Sequence, residues 1–195
     1  MTPPPPKDLA DRGDAATAAT AAIAPDDKDW TWTLRERCTD CGFTAAAVEA
    51  ADIAGLVTAS TDPWPAVLQR PDAGRRPTPS TWSPLEYACH VRDVCRLFEE
   101  RLHLMLTQES PTFANWDQDE TAVADRYGEQ DPTVVAGELT AAGSSFAAAY
   151  AQVPPDGWGR TGIRSNGSEF TVLTLGQYGL HDLRHHLWDV GVDSS

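Results

Sequence analysis

The stretch STWSPLEYACHVRDVCRLFEERLHLML, residues 80–106, predicts a long amphipathic helix with a clearly marked beginning. Ser83 suits the N-cap, Pro84 suits the first helical position, and Glu86 follows the cap by three residues, which completes a capping box. Apolar residues then recur at helical spacing, at Tyr87, Val91, Val94, Phe98, Leu102 and Met105. His90 stands one turn before Val94, so this helix carries a histidine on or beside its apolar face.

The sequence before this stretch predicts a first helix that is interrupted. Residues 51–70 carry an apolar stripe at helical spacing, but Pro63 and Pro65 fall within it. Proline removes a backbone donor and clashes with the preceding turn. We therefore expect a kink or a break near Asp62.

The sequence after the stretch predicts two more helices. Residues 131–153 begin with a capping Asp131 and Pro132, and their apolar spacing of four and three is typical of a bundle seam. Residues 171–190 form a fourth helix, which a short strand could precede. Four such segments without sustained two-residue alternation indicate an all-α protein, a four-helix bundle. The long loop at residues 107–130 lets the second and third helices run the same way, and such loops are often functional.

Composition and charge exclude several classes of partner. The 195 residues carry a formal net charge of -14, with a pI near 4.5, which argues against nucleic acid and anionic membranes as partners. No apolar run approaches the roughly 20 residues needed to span a bilayer. Residues 1–28 are rich in Pro, Ala, Thr and Asp and do not resemble a signal peptide. We expect a loosely ordered leader, a single domain at 29–195, and a cytoplasmic protein with reduced thiols.

The segment LHDLRHHLWD, residues 180–189, contains three of the five histidines. His181 and His185 share one helix face, whereas His186 lies about 100° further round. Together with His90 on the facing helix, this pair could form a three-histidine metal site with positions open for water or substrate. Neutral imidazoles suit zinc, nickel, copper or iron. The alternative is that the histidines simply pack in the bundle, because HxxxH pairs often occur on helices by chance.

Three segments resemble the DinB-like superfamily, and its actinobacterial members in particular: SPLEYACHVRDV, NWDQDETAVADRY and TLGQYGLHDLRHHLWDV. The resemblance covers residues 30–191. It implies a four-helix bundle in up-down-down-up order with a metal held by three histidines. Carried over by position, the ligands would be His90, His181 and His185, and His186 would not be one of them.

The same resemblance implies a class of chemistry. The superfamily contains mycothiol-dependent maleylpyruvate isomerase and bacillithiol and glutathione S-transferases, in which the metal activates a low-molecular-weight thiol. It therefore implies a divalent metal, zinc or nickel, with mycothiol as co-substrate and a small electrophile. The alternative is a non-catalytic bundle that binds or senses a metal or small ligand, with a fourth ligand from Asp117 or a cysteine. We also expect a homodimer through apolar residues outside the inward stripes, such as Leu104.

The pair Cys38-x-x-Cys41 has a redox interpretation and a zinc interpretation. Thioredoxin-like redox pairs occur next to a βαβ sequence pattern, and this sequence shows no such pattern around Cys38. A four-cysteine zinc site would also need Cys89 and Cys95. These two residues are six positions apart, which places them about 240° apart around a helix, so their side chains do not converge easily. The simplest interpretation is two reduced cysteines packed where the chain enters the bundle.

Four other residues have both a functional and a structural interpretation. Trp116 and Asp117, in the long loop, could form a substrate-binding wall over the metal, or the tryptophan could plug the end of the bundle. Glu86 and Asp182 could each accept a hydrogen bond from a ligand imidazole and so orient it, or could simply face solvent. No general base is evident in the sequence, so the catalytic residues beyond the ligands are unknown.

Overall fold

The structure, a computed structural model, describes Ile23 and residues 28–192. In this part of the chain the α-helices are α1 Ile53–Thr61, α2 Trp64–Leu68, α3 Pro84–Thr107, α4 Gln118–Ala124, α5 Pro132–Ala151 and α6 Val172–Asp189. The strands are β1 Thr112–Phe113, β2 Thr161–Arg164 and β3 Glu169–Thr171. Short 3-10 helices lie at Trp30–Leu34, Ala45–Ala47, Ala50–Asp52 and Tyr127–Glu129. The leader predicted at residues 1–28 lies outside the described residues, except for Ile23 and Lys28.

The helix beginnings predicted from the sequence are confirmed. At the start of α3 the Ser83 hydroxyl accepts the backbone N–H of Glu86 at 3.2 Å, and the Glu86 carboxylate accepts that of Ser83 at 2.8 Å. Asp131 caps α5 with Pro132 in its first turn. The predicted break near Asp62 separates α1 from α2. These helix boundaries lie at the predicted positions because capping residues and prolines affect only the backbone within a few residues of them.

The long helices form a bundle in which each one packs against two neighbours. Helix α5 lies against α1 and α3, and α6 lies against the same two helices. The core is built from the predicted stripes, with Ile53, Val91 and Leu139 fully buried. None of the helices described is both long and apolar enough to cross a membrane. The up-down-down-up order stays a prediction.

The all-α prediction is wrong in one respect, because the described residues include a three-stranded sheet in the order β1-β2-β3. Strand β1 pairs in parallel with β2, and β2 pairs antiparallel with β3. Strands of two to four residues are too short to show a two-residue alternation, which explains why the sequence pattern missed them. The sheet ties the segment after α3 to the segment before α6, so it determines where residues 112–116 and Arg164 lie.

Candidate metal centres on helix α6

Helix α6 carries two overlapping pairs of donor residues at the i, i+4 spacing. One pair is His181 and His185, and the other is Asp182 and His186, offset from the first by about 100° around the helix. The helix approaches α3 closely, because a Cβ atom at Gly179 would lie only 2.9 Å from the ring of Phe98. This close approach brings the second pair next to His90 on α3.

The first donor set, which we call the histidine–aspartate site, consists of His90, Asp182 and His186. One donor atom from each residue lies within 4.8 Å of the others. The Nε2 atom of His90 is 3.3 Å from Oδ1 of Asp182, and Nε2 of His186 is 3.6 Å from the same oxygen. His90 is completely buried, its Nδ1 has no hydrogen-bond partner within the described structure, and its Nε2 has only the contact with Asp182. Buried imidazole nitrogens normally have a partner, so these atoms suit a metal ligand.

The surroundings of this site orient its imidazoles. His186 donates its Nδ1–H to the carboxylate of Asp189 at 2.8 Å, which leaves the Nε2 lone pair on the side of Asp182. The ring of His90 stacks against Trp116, with a centroid distance of 5.2 Å, and contacts Trp82 at 5.4 Å. Two aromatic walls and a carboxylate partner for one imidazole are the usual supports of a metal-binding histidine.

The electrostatics of the site also favour a cation. Burial alone would raise the pKa of Asp182, but the neighbouring His90, and then His186 and His181, hold that pKa at about 2. The carboxylate is therefore ionised at neutral pH. Two imidazoles and one carboxylate supply three donors, which leaves coordination positions open for water or a substrate. The donor set fits a reactive metal centre.

The second donor set, which we call the cysteine–histidine site, consists of Cys38, Cys41, His181 and His185, again with donor atoms within 4.8 Å of one another. The Sγ atom of Cys38 is 3.6 Å from Nδ1 of His185. Burial lowers the pKa of His181 to about 4 and also lowers that of His185, so both rings are neutral at pH 7. Burial raises the pKa of the Cys41 thiol to about 11.

The structure divides the predicted histidine triad between these two sets. His90 lies with Asp182 and His186, whereas His181 and His185 lie with the two cysteines. Joint metal binding by His90, His181 and His185 stays a prediction. The segment HDLRHH contains both i, i+4 pairs, and their spacing alone does not say which pair turns towards α3.

The other residues singled out from the sequence have definite places. Asp182 is itself a potential ligand and contacts two imidazoles, which is a more direct role than orienting one. Glu86 does not face an imidazole, because its carboxylate binds Arg76 and caps α3. Trp116 covers His90 as a wall residue would. Asp117 caps α4 by accepting the backbone N–H groups of Asp119 and Glu120.

Two cavities meet at the histidine–aspartate site. The first, of about 270 Å³, has aromatic walls that include Trp30, Trp82 and Tyr87. The second, of about 350 Å³, is lined by Trp116, Arg101 and Arg164, among other residues. Asp182 lines both cavities, as do Trp30 and Tyr178. The two cavities therefore adjoin at Asp182, and a small molecule in either one would lie next to its carboxylate.

The second cavity holds a buried positive charge that the sequence analysis missed. Arg101 is 5% exposed and lies over the rings of Phe98 and Phe113. Its guanidinium donates to the carbonyl of Ala114 at 2.9 Å, while its Nε has no partner in the described structure. Burial and the nearby Arg164 lower the pKa of Arg101 to about 10, which still leaves it charged at neutral pH. Such an arginine suits an anionic group of a ligand.

Comparisons with known proteins agree with this architecture. The family model described as the DinB superfamily matches residues 56–190. A solved structure of YfiT from Bacillus subtilis, described as a probable metal-dependent hydrolase with an unusual four-helix bundle topology, superposes with a TM-score of 0.60. The two chains are 16% identical over 74% of this chain and 83% of YfiT, so the likeness shows the fold. No curated protein sequence matches the chain significantly.

Proposed function

This chain belongs to the DinB superfamily, and from that premise we propose that it is a metal-dependent enzyme that joins a low-molecular-weight thiol to a small electrophile. The reaction would be an S-transfer or a thiol-dependent isomerisation, with mycothiol as the thiol. His90, Asp182 and His186 would hold the divalent ion, zinc or nickel. When bound there, such an ion acts as a Lewis acid that favours the thiolate form of a coordinated thiol.

The observation that carries this proposal is that Asp182 lines two cavities. A thiol transfer brings two organic substrates to one centre, whereas a hydrolysis needs only one substrate and water. Two adjoining cavities that share this carboxylate therefore favour a reaction with two substrates. The three donors of the site leave room for both of them, which a closed binding or sensing site would not.

The residues around the site have distinct tasks in this proposal. Arg101 and Arg164 bind an acidic group of one substrate, which fixes its orientation. Trp116, stacked on His90, and Trp82 exclude water from the imidazole. Asp189 holds His186 in the tautomer that presents Nε2. A low-molecular-weight thiol is kept reduced in the cytoplasm, so the proposal assigns the protein to that compartment. The homodimer stays a prediction.

A metal-dependent hydrolase is the second candidate, because that is how YfiT is described. It would use the same donor set with water in place of the thiol. The two candidates differ in one measurable respect, namely whether product formation needs a thiol. A non-catalytic metal-binding or ligand-sensing bundle would show binding without any turnover.

The test is a turnover assay with the zinc-loaded or nickel-loaded protein, mycothiol, and electrophiles that carry a carboxylate. We expect adduct or isomer formation that requires both metal and thiol and saturates with each substrate. Arg101→Met should raise KM for a carboxylate electrophile by about 10-fold or more, because it removes a hydrogen bond to a charged group. The same variant should change KM for the methyl ester of that electrophile very little. Equal rates without any thiol would favour the hydrolase, and binding without turnover would contradict both enzymatic candidates.

A further inference from the structure

We propose that Cys38, Cys41, His181 and His185 form a second metal centre, a closed structural zinc site that fastens the N-terminal part of the domain to α6. This centre is separate from the histidine–aspartate site, and its four donors take no part in the proposed reaction. It also assigns a role to the two cysteines, which the proposed chemistry does not use.

The geometry of the four donors matches tetrahedral zinc. Their spacing is C-x2-C followed by H-x3-H, the pattern of structural sites with two cysteines and two histidines. A tetrahedral ion at its usual bond lengths to sulfur and nitrogen holds those two atoms about 3.6 Å apart. The Sγ atom of Cys38 and Nδ1 of His185 are separated by 3.6 Å. All four donor atoms lie within 4.8 Å of one another.

The backbone between the cysteines is built to present both sulfurs to α6. The N–H of Cys38 donates to the carbonyl of Phe43 at 2.9 Å, and the N–H of Gly42 donates back to the carbonyl of Cys38 at 3.0 Å. Gly42 has a φ of 73°, a left-handed conformation that favours glycine. The side chain of Arg37 then holds the turn by donating to the Gly42 carbonyl at 2.7 Å. The result is a tight turn with a cysteine near each end.

An independent observation comes from the histidines. His181 is 3% exposed, and its Nε2 has no hydrogen-bond partner within the described residues. Desolvating a polar atom in this way is costly unless something binds it, and a cation is the natural partner of a neutral imidazole nitrogen. Trp30 packs against the rings of His181 and His185, at centroid distances of 5.7 Å and 5.1 Å, and covers one side of the site.

Four protein donors leave no open position, so this centre would bind zinc without taking part in a reaction. Its two thiolates would neutralise the charge of the ion. The segment from Trp30 to Asp52 contains only short 3-10 helices, so it has little regular structure to hold it in place. Because Trp30 lines both cavities, zinc at this site would fix one wall of the neighbouring reactive site.

The test measures zinc content by mass spectrometry on the full chain, purified with zinc and a reductant and freed of any histidine tag. We expect two zinc ions per chain in the wild type. The double variant Cys38→Ser/Cys41→Ser should hold one fewer, and so should His90→Ala, which removes a ligand of the other site. The double variant Cys89→Ala/Cys95→Ala is the matched control, because its two cysteines lie in the α3 core, and it should hold as much zinc as the wild type.

Cobalt substitution of the wild type and of His90→Ala provides a second readout that does not depend on whether the cysteine variant folds. Both proteins should show a sulfur-to-cobalt charge-transfer band. If that band is absent, or if the Cys38→Ser/Cys41→Ser variant holds as much zinc as the wild type, the proposal is overturned. A Cys38–Cys41 disulfide that persists in wild-type protein purified with a reductant would overturn it as well. If the histidine–aspartate site alone fails to bind metal, His90→Ala will hold as much zinc as the wild type, and only the Cys38→Ser/Cys41→Ser variant will hold less.

Discussion

The variant His186→Ala is expected to lose metal affinity at the histidine–aspartate site and to lower kcat/KM for thiol-dependent turnover by about 100-fold or more. Removing even a residue that supports a metal ligand typically costs 10–100-fold, so removal of one of only three ligands should cost at least as much. His186 contacts Asp182 and Asp189 near the end of α6, and its ring also packs against Tyr87 and His90, so circular dichroism must show that the variant keeps its fold. Competition with a chromophoric chelator measures the affinity.

Two controls make this result specific. His103 is exposed on α3, so His103→Ala should behave like the wild type. His185 stands next to His186 in the chain but lies in the cysteine–histidine site, so His185→Ala should leave affinity at the histidine–aspartate site largely intact. The opposite pattern, in which His185→Ala abolishes turnover and His186→Ala does not, would favour the triad of His90, His181 and His185.

The variant Gly143→Val is expected to lower the free energy of unfolding by about 3 kcal/mol, the upper part of the range for overpacked cores. A Cβ atom at position 143 would lie 2.7 Å from Oγ1 and 2.8 Å from Cβ of Thr61. Thr61 is 4% exposed, and its hydroxyl donates to the carbonyl of Val57 at 3.0 Å, so it cannot easily turn away. The helices α1 and α5 would have to separate. Urea denaturation followed by circular dichroism measures the change.

The matched control lies on the same helix. A Cβ atom at Gly137 would meet nothing within 4 Å, so Gly137→Val should leave stability unchanged or raise it by about 0.4 kcal/mol through better helix propensity. Equal losses in the two variants would mean that the effect is a property of the helix. Equal losses would therefore contradict a close approach of α1 and α5 at Gly143.

Local signals made most of the helices predictable from the sequence. The capping box at Ser83, the proline after Asp131 and the break at Pro63 each act within one turn, so the sequence marks them directly. The sheet was not predictable in the same way, because β1 pairs with β2 across about 50 residues of chain. A two-residue strand has no pattern of its own, and only the tertiary fold supplies its partner.

The candidate site was predictable in its residue types but not in its grouping. The sequence marks His90 and the donors of α6, yet the rotation of α6 decides which pair faces α3. Cys38 and His185 are 147 positions apart, so no local rule joins them. The combined spacing of C-x2-C and H-x3-H is the available signal, but Cys89 and Cys95 are closer in the sequence to the two cysteines than the histidines are. Arg101 was missed because charged residues on a helix usually face solvent.

The central claim is that His90, Asp182 and His186 hold a metal ion together. The most direct measurement is an anomalous difference map from a crystal of the zinc-loaded protein, recorded on both sides of the zinc absorption edge. The account predicts a peak about 2.0–2.2 Å from one nitrogen of His90, one nitrogen of His186 and one oxygen of Asp182. A fully loaded crystal without a peak there, or with a peak shared by His90, His181 and His185, would contradict it.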